Sequence, residues 1–257
     1  MTIYHRTEYP EQMTPADFDR YLATGWYRMR QHVFTCSHLF DFNDESELTG
    51  LRRVWWMRFS INRILQHSSH QKLKKRNNGF QVVMGPHETI STAEEHLYST
   101  YRGSIDFDGY PTLQNALLDH VADATIYNSQ SIAVYDGEKL IALGIFDLGE
   151  KSASSQIHCY DPAYASYSLG KYLILLTLDH LRSLGHDWYY PGYVFAGNPK
   201  MNYKLFAGKE AAEYFDPETG EWQAFVEELL DDEPYNEELI RLVSEKMFGK
   251  KGPKAKA

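Results

Sequence analysis

Two stretches of this 257-residue chain hold residues whose types and spacing can do chemistry. The longer one runs through Tyr160-Asp161-Pro162, Ser168-Leu169-Gly170-x-Tyr172, Tyr190-x-Gly192-Tyr193 and Lys200-Met201-x-Tyr203-Lys204. A carboxylate such as Asp161 can accept hydrogen bonds from an ammonium and help it lose a proton, while phenols orient an ester or stack on a base. Lys200 and Lys204 are four apart, so on a helix they share a face that can meet phosphates. Such a set can bind a charged group and hold it in place, with the carboxylate available for proton transfer. The shorter stretch is the basic run Lys72, Lys74, Lys75 and Arg76, flanked by Gln71 and Asn77, which reads as a solvated face or as a phosphate contact. Plainer roles stand beside these. Asp161 before Pro162 fits an Asx-type turn cap, Ser168 a helix N-cap, and Tyr160 and Tyr172 simple packing.

These residues need elements to hold them. SQIHCY alternates as a strand does and stops at Asp161-Pro162, so Tyr160 and Asp161 fall at a strand's carboxyl end. Leu169, Tyr172, Leu173, Leu176, Leu181 and Leu184 recur at helical spacing, with Gly185 placed to end the helix. Asp187–Tyr193 reads as a second strand, and a strand–helix–strand of this length closes as a parallel crossover. Ligands of such units gather outside the strands' carboxyl ends and at the helix N-terminus, which groups Tyr160, Asp161, Ser168, Gly170 and Tyr193 around one crevice.

The ordered series from Tyr160 to Phe206, with Gly185 between, resembles the C-terminal domain of the arginyl/leucyl-tRNA–protein transferases. The resemblance implies an acetyltransferase-like (GNAT) α/β fold, a mixed sheet flanked by helices, with a small N-terminal subdomain and a helical C-terminal extension. It implies that an amino acid, arginine or leucine, moves from charged tRNA to the N-terminal amine of a protein, with aminoacyl-tRNA as co-substrate and no other cofactor. Asp161 and Tyr160 would serve the chemistry. Lys72, Lys74, Lys75, Arg76, Ser168, Gly170, Tyr193, Lys200, Tyr203 and Lys204 would bind the substrates. Gly25-Trp26-Tyr27-Arg28 also fits the family, but where it carries a cysteine cluster this chain has Cys36 alone. His32, Cys36 and His38 fall short of a four-ligand zinc set, so no metal is expected. The turn Tyr164-Ala-Ser-Tyr167-Ser168-Leu169-Gly170 lacks the glycine-rich phosphate loop of CoA-binding relatives, which disfavours a CoA-dependent N-acetyltransferase. A non-catalytic adaptor on the same fold is the third reading.

Composition sets the frame. With 43% hydrophobic and 24% charged residues the chain suits a large core, and no apolar run approaches a membrane span. It reads as cytoplasmic, with two cysteines too few for a disulfide framework. The net charge of −9 opposes tight RNA binding unless the basic residues cluster. The organisation reads as 1–66, 67–215 and 216–257. In order, the pattern predicts a helix from Thr14 to Gly25, a strand over WYRMRQHVFTCS, an acidic loop from Asp41 to Gly50 and a strand LRRVWWMRF. A strand GFQVVMG, helices TAEEHLYSTYR and LQNALLDHVAD, and a hairpin around Asp136-Gly137 follow. The segment after Lys204 reads as loop, then as amphipathic helices WQAFVEELLDD and NEELIRLVSEKMF, and a disordered basic end.

Overall fold

Caps and left-handed residues fix the boundaries of the first elements. The computed structural model describes residues 3–42, 48–105, 109–118, 124–195, 199–231 and 240–241. Strand β1 (His5–Glu8) precedes α1 (Pro15–Ala23), which Thr14 caps by accepting from the Asp17 amide and which gives way to Gly25 at φ 77°. The stretch from Trp26 to Ser37, expected as one strand, is instead a hairpin of β2 (Tyr27–Met29) and β3 (His32–Cys36). Arg30, at φ 57°, reverses the chain between them. β4 (His38–Phe42) and β5 (Leu48–Ser60) pair antiparallel, so the acidic loop is shorter than expected, and residues 43–47 lie outside the described residues.

The middle of the chain follows its pattern closely. The basic run lies on a helix, α2 (Ser68–Asn77), while β6 (Gln81–Pro86) and α3 (Thr92–Arg102) stand where expected, α3 opened by a capping box between Ser91 and Glu94. α4 (Leu113–Leu117) is shorter than the expected helix LQNALLDHVAD, since the described Leu118 is extended; residues 119–123 lie outside the described residues. β7 (Ser129–Asp136) and β8 (Lys139–Leu148) turn at Gly137, β9 (Ser152–Tyr160) follows, and α5 (Leu169–Leu184) ends at Gly185, φ 72°. β10 (Trp188–Phe195) then runs parallel to β9.

Beyond β10 the sequence pattern misleads. Pro199–Ala207 is a 3₁₀ helix, with three residues per turn, rather than an α-helix. The segment expected as loop contains β11 (Ala212–Asp216), and WQAFVEELLDD begins as β12 (Glu221–Ala224) and continues as a 3₁₀ turn, Glu227–Leu230. The β11–β12 hairpin adds to β5 because its aromatic residues Phe215 and Trp222 meet the apolar face over Tyr190. The described part of the C-terminal extension is therefore mostly extended rather than helical. NEELIRLVSEKMF, save Ile240 and Arg241, and the basic end lie outside the described residues.

The large sheet has the order β12-β11-β5-β10-β9-β8-β7-β6, with β4 also on β5; β1, β3 and β2 form a second, three-stranded sheet. Strands on both sides of residues 66 and 215 thus share one sheet. Alternation divides its faces. Met57, Phe59, Ile141 and Val194 pack under α2 and α5, whereas Leu143, Ile145 and Cys159 meet α3 and α4, and Val54, Trp56 and Tyr190 meet the N-terminal unit. This is the mixed, helix-flanked sheet expected of an acetyltransferase-like fold.

One buried ion pair fastens the N-terminal unit to the sheet. Arg28 Nη1 lies 2.6 Å from Asp147 Oδ1 with both side chains essentially unexposed, and the same guanidinium donates to Ser129 Oγ and the Leu117 carbonyl. Arg28→Ala leaves Asp147 buried without its counter-charge and is expected to lower stability by about 3–5 kcal/mol in urea unfolding. A loss under about 1 kcal/mol, the size of an exposed pair, would show that the pair is not desolvated.

Candidate functional site

The site is built where two neighbouring strands part. β9 and β10 pair only from Ser152–Ser154 against Trp188–Tyr190. The next residue of β10 is Pro191, which has no amide hydrogen for the ladder, and the following Gly192 sits at φ 96° in a register shift. β10 pairs with β5 on both sides of this shift, from Trp188–Ser60 to Phe195–Val54, while β9 stays with β8 as far as Tyr160–Ala142. Ser155–Tyr160 and Gly192–Phe195 therefore flank a V-shaped cleft that opens at the strands' carboxyl ends.

The 3₁₀ helix Pro199–Ala207 fills part of this cleft with Tyr203 and Lys204. Lys204 Nζ donates to the Tyr193 carbonyl at 2.8 Å and lies 5.1 Å from the Tyr193 ring centroid, so it satisfies a backbone oxygen that the missing ladder leaves free. Burial pulls the Lys204 pKa down to about 8. Burial, with Lys204 adding to it, lowers His158 to about 4, so its imidazole is neutral at pH 7, with Nε2 3.3 Å from Ser155 Oγ. The phenols of Tyr101, Tyr160 and Tyr189 crowd that of Tyr203, whose pKa burial pushes well up. Tyr160 packs on Tyr101 at 5.2 Å between ring centroids and covers Gly170. Tyr189 Oη is buried without a well-formed hydrogen bond. The cleft thus presents neutral polar groups and one lysine poised near its own pKa.

The other expected residues are distributed as follows. Asp161 commits both oxygens: Oδ1 accepts from the Ala163 amide at 2.9 Å, capping the 3₁₀ turn Pro162–Tyr167, and Oδ2 pairs with Lys139 at 2.6 Å. The Lys139 ammonium, then the Ala163 amide, hold its pKa below the usual carboxylate range. Ser168 is not a side-chain N-cap as expected: it adopts a left-handed φ of 53° and its hydroxyl caps nothing. Such a conformation in a non-glycine residue is strained, and it lets the chain turn sharply from the 3₁₀ turn into α5. Tyr172 is buried in the core, as its packing reading has it. The Lys200 side chain lies outside the described residues.

The basic run divides. Lys74 pairs with Asp179 of α5, Arg76 donates to the Ser166 carbonyl at 3.0 Å, and Asn77 donates to the Tyr167 carbonyl at 3.1 Å, so the end of α2 holds the turn before α5. Lys72, Lys75 and Arg76 are exposed. Sequence reasoning missed Ser155, His158, Tyr101 and Tyr189. For Ser155 and His158 the signal was the polar residues of SQIHCY, meaningful only once the cleft is known; Tyr101 and Tyr189 lie in α3 and β10 and carried no such signal. Among the described residues no cluster of His, Cys, Asp and Glu could hold a metal ion, and no helix is long and apolar enough to cross a membrane.

Comparison with known proteins covers this region. Residues 93–211, which include the whole cleft, match the family model described as arginine-tRNA-protein transferase, C terminus. The chain is 39% identical over 84 residues to an aspartate/glutamate leucyltransferase of Vibrio cholerae, covering 33% of this chain and 36% of that protein. It is 31% identical over 163 residues to arginyl-tRNA–protein transferase 1 of Drosophila melanogaster, covering 54% and 32%. An aspartate/glutamate leucyltransferase of Acinetobacter baylyi is 25% identical, covering 64% and 61%. The match thus spans about a third of the length of the Vibrio relative. Among solved structures, L-PGS from Bacillus licheniformis aligns with a TM-score of 0.40 at 11% identity, covering 62% and 54%. A GCN5-related N-acetyltransferase from Kribbella flavida aligns with a TM-score of 0.32 at 10% identity, covering 55% and 48%.

The depressed pKa of Lys204 makes stability depend on pH. Between about 8 and the ordinary 10.5 the unfolded chain holds more protons than the folded one, so this group's contribution rises with pH and is least favourable below 8. The stability of Lys204→Met relative to wild type is therefore expected to fall by on the order of 3 kcal/mol from pH 7 to pH 10.5, at about 1.4 kcal/mol per pKa unit. Denaturant titration across that range checks it, and a pH-independent difference would mean that the ammonium is well hydrated.

Proposed function

Since this chain belongs to the arginyl/leucyl-tRNA–protein transferase family, we propose that it moves arginine or leucine from charged tRNA to the α-amine of a protein or peptide. The observation that carries this is the coincidence of the matched segment with the cleft between β9 and β10. The relatives named aspartate/glutamate leucyltransferase support an acidic N-terminal residue as the acceptor.

The reaction needs the amine and the ester carbonyl held together. The amine's lone pair attacks the ester carbonyl carbon, a C–N bond forms, the C–O bond to the terminal ribose breaks, and the amine's proton ends on the released hydroxyl. Orientation of this kind can supply roughly 7–11 kcal/mol. Lys204 stands near its own pKa, so it can take a proton from the attacking ammonium or, protonated, polarise the carbonyl. Tyr160, Tyr193 and Tyr203 supply ring surface for the terminal adenine, and Ser168 and Gly170 form the α5 N-terminus beside it. Asp161, with both oxygens engaged, acts as a positioning residue for the turn into α5.

Transfer of labelled arginine or leucine from charged tRNA to a peptide beginning with Asp tests the reaction class. Incorporation with one of the two donors is expected. Micromolar binding of acetyl-CoA in calorimetry, with no transfer from any charged tRNA, would replace this reading by an N-acetyltransferase. Lys204→Met is expected to lower kcat by about 10²–10⁴-fold, the range for a lost acid–base group. Asp161→Asn should leave the pH profile of kcat/KM unmoved; a profile shifted with a fall in kcat would instead give Asp161 the proton.

For the tRNA, Lys72 and Lys75 are the phosphate contacts, with Arg76 shared between solvent and the Ser166 carbonyl. Lys72→Ala with Lys75→Ala should weaken binding of all tRNAs alike and flatten the salt dependence by about 0.7–0.9 for each cation removed. Lys74→Ala should alter stability more than binding, since its partner is Asp179. Unchanged salt dependence in the double variant would return the run to a solvated face.

A further inference from the structure

A cavity of about 650 Å³ lies between the N-terminal unit, β5 and the end of β11. Tyr4, Arg6, Thr35, Ser37, His38 and Arg53 supply its polar lining. Strand pairing places them: Arg6 is opposite Thr35 in the β1–β3 ladder, and Arg53 is opposite His38 in the β4–β5 ladder. Val54, also in the wall, pairs with Phe195 at the carboxyl end of β10, where the cleft opens.

The charge in this cavity is unbalanced. Among the described residues neither guanidinium has a carboxylate partner; Arg6 lies over the Tyr4 ring and Arg53 over the Trp55 ring, 4.0 Å from its centroid. Both act on the Tyr4 phenol, whose pKa burial raises and the Thr35 hydroxyl, Arg6 and Arg53 pull back, so the two cations flank a common space. Thr35, 5% exposed, has a buried hydroxyl that makes no well-formed hydrogen bond even to that phenol. His38 is buried, with its pKa lowered to about 4 by burial and by Arg53, so it is neutral at pH 7. Glu218 is the one carboxylate among the lining residues, and it makes no ion pair with either arginine. Two guanidiniums without a carboxylate partner among the described residues, and a buried hydroxyl without a well-formed hydrogen bond, are the complement of a carboxylate.

We propose that this cavity binds the side-chain carboxylate of the acceptor peptide's N-terminal residue, with Arg6 and Arg53 as its counter-charges and the Thr35 hydroxyl as a donor. The assignment rests on the transfer reaction proposed above. It places the acceptor's α-amine on the cleft side of the Val54–Phe195 pair and makes the N-terminal unit the element that selects the acceptor.

Paired peptides that begin with Asp and with Asn test it. Arg6→Gln, at an exposed strand position, and Arg53→Gln should each raise KM for the Asp peptide about tenfold or more with kcat unchanged, the signature of lost ground-state binding, and leave the Asn peptide unmoved. Glu218→Gln should lower KM for the Asp peptide. Equal responses to both peptides, or none, in variants with unaltered thermal unfolding would overturn the site. If the wild type transfers nothing from any charged tRNA, calorimetry without tRNA decides separately. Tighter binding of the Asp peptide that Arg6→Gln abolishes keeps the site while the reaction fails, and equal binding of the two peptides sinks the site as well. Succinate that binds in an Arg53-dependent way, with no discrimination between the peptides, would give the cavity to a free dicarboxylate and overturn the acceptor assignment.

Discussion

Pro191 stands where the ladder between β9 and β10 ends. Three paired residues join those strands, and beyond the missing amide and the left-handed Gly192 β10 keeps only its pairing with β5, which runs along it on both sides of the shift. The separated strands leave backbone oxygens without partners. The protein meets this need at the Tyr193 carbonyl by sending in the ammonium of Lys204, and the same insertion strips that lysine of water. The break in the sheet and the perturbed lysine are thus one feature, and a helical crossover alone, with the strands paired throughout, would have produced neither.

The ends of the cleft are held by contacts that look unrelated in sequence. Asp161 caps the turn after β9, Arg76 and Asn77 grip the carbonyls of Ser166 and Tyr167, and Phe80 packs against both Tyr164 and Tyr167. This scaffolding lets Ser168 keep a strained backbone, since a left-handed serine persists only where its neighbours over-determine it. Part of the basic run is therefore spent on structure. The repulsion expected between a chain of net charge −9 and RNA phosphates has to be met by the fewer cations that remain exposed.

What was legible in the sequence follows from the range of the interactions involved. The helix from Leu169 to Gly185, the hairpin at Gly137 and the crossover to β10 rest on local periodicity and on single punctuating residues, and they stand where the pattern puts them. Tyr160, Asp161, Ser168, Gly170 and Tyr193 could be gathered near one crevice because strand ends and the helix N-terminus imply it, whereas Tyr203 and Lys204 came from the family resemblance. His158 and Tyr101 could not, since their roles depend on a cleft created by β5 capturing β10 across more than a hundred residues. Ser168 misled because serine before a helix usually caps it, and here the backbone conformation turns the hydroxyl away. The segment after Lys204 misled for another reason. Its aromatic residues alternate with acids in a way that suits a helix as well as a strand, and only the open edge of β5 settles the choice.

On the proposed function, the two substrates would approach from opposite faces of the sheet. α2, with Lys72 and Lys75, packs with α5 on the face of Met57 and Phe59, while the cation-lined cavity lies on the face of Val54 and Trp56. A nucleic acid drawn to the first face and a carboxylate drawn to the second meet where the sheet is open, between Tyr160 and Tyr193. A continuous sheet would keep them apart by its own thickness of about 10 Å. Separate approach also answers the electrostatic difficulty: phosphates and an acidic side chain repel one another, and each here finds its own cations with the neutral imidazole of His158 and the phenols between them. The single charge left in the cleft is the one on Lys204. A base that sheds its proton near pH 8 is matched to an amine of similar pKa, so the proton can move between them with little change in free energy.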